Sequence, residues 1–230
     1  ILKGKTGIES FFQPFSDSYG PLLRIFDSFL LSIQTDIKLA QTLNTPFFLL
    51  SIWLTYLLGN EIFRNKKISL LGATFFSFFQ VVYDHSRWLL LDVPLISFVL
   101  ATLLFLIKSK YFELKKYSVL AFIFLSLTCL AKFQGLIYLA LPFSWAGLLA
   151  LKSGRKLYNI FLGATYALPF FLIWFIPSWE NIQKHLAVGI QAEPISDPTQ
   201  LLDISTWFHY LKLFINYEIG FLAFLVFLLA

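Results

Sequence analysis

Apolar runs of about 20 residues, the length needed to cross a bilayer, recur along almost the whole chain. That recurrence restricts the fold more than any other feature. A buried core cannot hide so many such runs in a chain of 230 residues. Composition agrees: 58% of residues are hydrophobic, 13% are charged and the mean hydropathy is +0.73. These values lie well outside an ordinary soluble domain. The short alternating segments of an outer-membrane barrel are absent from the sequence. The expected fold is an all-α polytopic membrane protein. Its spans are drawn at about 43–63, 68–83, 88–107, 117–131, 135–151 and 157–177.

Charge then orients the helices. Three connecting loops are basic: Arg64/Lys66/Lys67, Lys108/Lys110/Lys115/Lys116 and Lys152/Arg155/Lys156. They alternate with loops that are acidic or nearly neutral, so the positive-inside rule assigns the basic loops to the cytoplasm. The turns around Asp84–Asp92 and Lys132–Gln134, and the segment 178–206, then face the outside. The short run Pro21–Ile33 would break this alternation as a span and reads as an interfacial helix. Trp179–Leu186 reads as a second surface helix. The resulting organisation is an outer-face loop and interfacial helix (1–42), a transmembrane bundle (43–177), an outer loop with an amphipathic helix (178–206), and an interfacial segment with a truncated span (207–230). No Met occurs, the chain opens on Ile1, and Phe221–Ala230 is too short to span, so the sequence reads as a fragment of a longer protein. Cys129, the single cysteine, lies in an apolar run and reads as a small packing residue. The net charge of +5 is accounted for by the helix flanks and gives no reason to invoke nucleic acid.

Three cations stand on the face that should be poor in them: Arg24, Arg87 and Lys132. One reading is that each snorkels separately to the headgroups. The other is a shared polar cavity with Asp17, Asp84 and Asp92, because ionisable groups at membrane helices are kept when paired or when they serve a ligand. A cluster of cations at the lipid boundary suits a lipid-linked phosphate: Arg offers bidentate contacts and Lys a point charge. The same charges would stabilise a departing phosphate. Asp92 has two readings, orienting Arg87 or capping its own helix. Asp84 and His85 lie close to the cavity, and an exposed turn explains both equally well. Glu180 and His185 could meet an acceptor or a divalent metal. One His and one acid are a thin ligand set, so no metal site is assigned and a divalent ion stays open as the only cofactor.

Four strings resemble one family. His85-Ser86-Arg87-Trp88-Leu89-Leu90-Leu91-Asp92 resembles a segment of protein O-mannosyltransferases, and Ala131-Lys132-Phe133-Gln134-Gly135-Leu136 resembles their K-W-x-G-L. Asp17-Ser18-Tyr19-Gly20-Pro21-Leu22-Leu23-Arg24 is similar to D-x-H-P-P-L-G-K, with Tyr19-Gly20 for His-Pro and Arg24 for Lys. Glu180-Asn181-Ile182-Gln183-Lys184 resembles an outer-loop motif of bacterial aminoarabinose transferases, with Asn181 in place of His. The resemblance covers about 15–184 and implies the GT-C superfamily, near the dolichyl-phosphate-mannose–protein mannosyltransferase group.

That resemblance implies a GT-C-type bundle of about six or seven transmembrane helices with outer-face surface helices. It further implies transfer of a sugar from a polyprenyl-phosphate carrier to a glycan, lipid or protein acceptor on the periplasmic, extracellular or lumenal face, with inversion. A bacterial plasma membrane is the expected location. Arg87, Lys132 and Arg24 would hold the carrier phosphate, supported by Asp92, Tyr19, Asp84 and His85, with Glu180 and His185 on the acceptor side. The catalytic Asp that the resemblance implies either lies ahead of residue 1 or has been lost; Asp17 is a candidate substitute base, although its place in the family motif suggests a structural or phosphate-site role. The alternatives are a transporter, a flippase or a non-catalytic scaffold that binds the same lipid phosphate.

Overall fold

The computed structural model describes residues 44–86 and 91–191, together with Pro21, Leu22, Ile25, Phe26 and Thr42. Among the described residues every regular element is an α-helix. The helices are α1 (Asn44–Phe63), α2 (Lys66–Ser77), α3 (Gln80–Ser86), α4 (Asp92–Lys108), α5 (Lys115–Ala131), α6 (Gly135–Ala150) and α7 (Gly154–Gln191). Of these, α1 and the first part of α7, Gly154–Glu180, are long and apolar enough to cross a membrane, and α6 is a shorter apolar helix. The all-helical, membrane-type class expected from the sequence is therefore present.

Two boundaries differ from the sequence reading. The run drawn as one span over 68–83 is broken, with α2 ending at Ser77 and α3 starting at Gln80. Ser77 Oγ donates to the Thr74 carbonyl at 2.7 Å, and the Phe78 and Phe79 N–H groups turn back to the Phe75 and Phe76 carbonyls at 3.0 and 3.2 Å. Hydroxyl and aromatic residues at this point compete with helix continuation. Conversely, Pro177 does not end its helix, and α7 runs through Pro169 and Pro177 to Gln191. The surface helix expected at Trp179–Leu186 is thus continuous with the helix before it.

Large apolar side chains face outward, as they do when the solvent is lipid. On α6, Ile137, Tyr138, Leu141, Trp145 and Leu148 form one exposed stripe, with Leu141 at 80% exposure. On α7, Phe161, Ile173 and Ile176 do the same. Between helices the contacts are small and hydroxylated, the composition that lets helices approach closely in a bilayer. Ser51 and Ser97 share a buried hydrogen bond of 2.7 Å between α1 and α4. Thr102 and Thr128 meet at 3.3 Å between α4 and α5, and Ser126 donates to the Ala167 carbonyl on α7 at 3.1 Å.

α4 and α5 form an antiparallel hairpin about 25 Å long, from 17 residues each at 1.5 Å per residue. Its closed end is backbone-strained: Lys110, Tyr111 and Phe112 have φ of 52°, 54° and 71°. Left-handed backbone costs roughly 1 kcal/mol per non-glycine residue, so something must hold it. Phe112 is buried, Ser109 Oγ accepts from the Phe112 N–H at 2.9 Å, and buried Asn159 on α7 donates to the Phe112 and Glu113 carbonyls at 2.9 and 3.1 Å. This brings the loop Lys108–Lys116 against the first turns of α7, so two of the three basic segments share one end of the bundle. Asn159→Ala leaves two carbonyls without donors. It is expected to lower stability by about 1–3 kcal/mol, read as a drop in the thermal midpoint of the purified protein in detergent.

Candidate functional site

The open end of the α4–α5 hairpin brings two charges together. α5 stops at Ala131 because Lys132 adopts extended backbone (φ −161°, ψ 123°), with its N–H returning to the Thr128 carbonyl at 3.0 Å. The turn Lys132–Gln134 follows, and α6 begins at Gly135. Only glycine fits there. A Cβ would lie 2.3 Å from Thr128 Cγ2 and 2.8 Å from Leu95 Cδ1. The turn is thereby clamped against both α5 and the first turn of α4. Phe133 adds a second clamp by packing against Leu130 and the fully buried Trp174 of α7. Gly135→Ala is expected to displace the turn, costing about 1–3 kcal/mol and lowering turnover with little change in expression. Comparing thermal midpoint and kcat/KM side by side checks this.

Asp92 opens α4, where a carboxylate in the first turn is favoured by the helix dipole. The cap position falls to Leu91, which makes no side-chain cap hydrogen bond. Instead of closing its own helix, the Asp92 carboxylate accepts from Lys132 Nζ at 2.8 Å. The side chains are 24% exposed for Lys132 and 35% for Asp92, so the pair is partly shielded but open at one side. An ammonium has three donors. The bond to Asp92 takes one, which leaves donor capacity for an anion arriving at the mouth.

Between α5 and α7 lies an apolar cavity of about 220 Å³, whose lining includes neither Lys132 nor Asp92. One wall is the α5 stripe Phe122, Leu125, Ser126 and Cys129, at helical i, i+3, i+4, i+7 spacing. The facing wall is Ala164, Ala167, Leu168 and Phe171 of α7 with the same spacing, and Leu136 of α6 closes it. The two alanines are too small to fill the gap between the helices. Ser126 Oγ donates across to the Ala167 carbonyl of the facing wall at 3.1 Å. Cys129 lies one turn before Lys132 and Leu136 one turn after it, so the cavity and the cation share one end of α5.

The sequence-selected residues are distributed unevenly. Asp92 and Lys132 come together. Arg87, Arg24, Asp17 and Tyr19 fall outside the described residues, as do the side chains of Asp84 and His185. The backbone of Asp84 lies in α3. His85 is half-buried in its last turn, and Glu180 is exposed on the continuing α7. Among the described residues no three His, Cys, Asp or Glu side chains gather as metal ligands would. Sequence reasoning did not find the cavity.

No curated protein and no solved structure matches the chain. One family model does match, that described as dolichyl-phosphate-mannose-protein mannosyltransferase, over residues 31–186.

Proposed function

This chain belongs to the dolichyl-phosphate-mannose–protein mannosyltransferase family, whose model covers about two thirds of it, and from that premise we propose how its residues serve the transfer. Membership makes it a membrane glycosyltransferase that uses a lipid-linked sugar. We infer that the sugar leaves a polyprenyl-phosphate carrier for an acceptor hydroxyl on the outer face, with inversion. About six spans carry the bundle and the basic loops face the cytoplasm. The observation that carries the reading is the partly shielded Lys132 ammonium, 2.8 Å from Asp92 at the open end of the α4–α5 hairpin. It offers a cation for the carrier phosphate.

The chemistry asks for little else. A glycosyl phosphate is already activated, so the enzyme must supply a base for the acceptor hydroxyl and charge compensation for the phosphate that departs. Lys132 provides the second, with Arg87 and Arg24 as further cations on the same face. Asp92 holds the ammonium in place through their 2.8 Å contact. The test is turnover of radiolabelled polyprenyl-phosphate mannose by the full-length protein in nanodiscs, wild type against Arg87→Ala. Transfer that the substitution abolishes, in a protein that still folds, supports the reading. A wild type that neither binds nor turns over any such donor overturns it.

A further inference from the structure

We infer that the basic end of the bundle docks the anionic head group of a bilayer phospholipid, with Lys115 of α5 and Lys156 of α7 as the cations that meet its phosphate. This end lies opposite the Asp92–Lys132 pair, and the docking is independent of the transfer chemistry proposed there. α5 and α7 run parallel in a fixed register. Ser126 Oγ reaches the Ala167 carbonyl, 41 residues on. A Cβ on Gly163 would lie 2.4 Å from the Phe122 ring, at the same offset. About two helical turns earlier, that register sets Lys115 level with Lys156, on the same facing stripes as Phe122 and Gly163. Between these levels Ser118 and Asn159 are buried in the seam. Both lysines therefore stand where the two helices face each other and the seam opens: Lys115 is exposed and Lys156 half-buried.

The pair has no counter-charge within the described chain. Segments 108–116 and 152–156 hold seven cations against one acid, Glu113. Among the described residues Lys115, Lys156 and Glu113 make no ion pair, and neither α5 nor α7 carries an acid in its first turn. Two ammonium groups on one seam repel each other, and the helix dipole disfavours a cation in a first turn. An anion between them relieves both. The surroundings say what kind of anion. Tyr111, Leu157 and Tyr158 are exposed beside the cations, and Tyr is a residue of the membrane–water interface. The partner must offer a negative group to the lysines and hydrocarbon to the rings and the leucine. An anionic phospholipid has both, and basic pockets between membrane helices hold such head groups. A soluble phosphate leaves the apolar rim uncovered.

The experiment places the full-length protein in nanodiscs of phosphatidylcholine, with and without phosphatidylglycerol, and reads the thermal midpoint. Wild type is compared with two double variants, Lys115→Gln with Lys156→Gln and Lys66→Gln with Lys67→Gln. The second removes the same charge at the start of α2, which packs on α1 away from the seam. Phosphatidylglycerol is expected to raise the wild-type midpoint by about 4 °C, because a ligand of the folded state stabilises it. The seam variant should lose most of that rise, and the α2 variant should keep it. If the seam variant does not fold, Lys156→Gln alone should lose about half of the rise. No rise in wild type overturns the site. Equal loss in the two double variants also overturns it, because the lipid then answers only to total charge. The same rise from inorganic phosphate in phosphatidylcholine nanodiscs overturns the lipid as occupant.

Discussion

Replacing Lys132 with alanine is expected to lower kcat/KM for a polyprenyl-phosphate sugar by at least about a hundredfold, the scale on which a preorganised donor to developing charge acts. Lys132 Nζ is the ammonium seen at the mouth, and its charge is what a departing phosphate would need. Removing Asp92 alone should do less. Asp92→Asn keeps a hydrogen-bond acceptor near the ammonium but lifts the counter-charge, so the cation is less well placed rather than lost. The informative variant is the pair. If Asp92 acts through Lys132, adding Asp92→Asn to Lys132→Ala costs little more than Lys132→Ala alone. A double variant whose losses simply multiply would show that Asp92 has separate work. Steady-state kinetics on the four proteins decide it. A thermal midpoint for each separates catalysis from folding, because breaking a partly buried ion pair from one side also destabilises.

Trp174→Ala carries the largest expected loss of stability. Its side chain is fully buried where α5, α7 and the turn at Phe133 converge, against Leu130, Leu127, Phe175 and Leu22. Truncating a buried Trp or Phe costs about 3–5 kcal/mol. The value here should fall near 3 kcal/mol, since lipid competes for apolar surface but cannot refill a cavity closed by protein. Thermal or denaturant unfolding in a fixed detergent measures it. The same substitution undercuts Phe133 and thereby the turn that carries Lys132, so activity should fall at temperatures where the protein is still folded. Trp174→Phe, which keeps an aromatic ring in the same place, should recover most of both. If Trp174→Ala left stability unchanged, the packing described around α7 would be wrong.

Much of the helix order could be read from apolar runs, because each helix must present an apolar surface to lipid and ends where charge begins. The less visible parts depend on competition within the chain or on contacts across it. The break at Phe78 arises from Ser77 and its neighbours pulling back on carbonyls of their own turn, in a stretch as apolar as any other. Pro177 suggested a helix end, but α7 accommodates it and runs on. In the site, Asp92 was read from its neighbours as a partner for Arg87 or a cap. Its carboxylate meets Lys132, 40 residues away, because α4 and α5 pack antiparallel. The α5–α7 cavity belongs to the same category. It depends on how close the two alanines let the helices come, and no local pattern states that distance.

The ion pair at the open end of the hairpin also bears on how the protein is made. α4 and α5 each bring one ionised side chain to the same end of a 17-residue helix. A lone charge costs about 2.5–3.5 kcal/mol at the centre of a membrane helix, and less at a helix end, where both of these stand. Were α4 and α5 to enter the bilayer together as a hairpin, the two charges would arrive as a net-neutral pair. Asp92 and Lys132 would then act first as partners in biogenesis, letting two imperfectly apolar helices enter the bilayer as one.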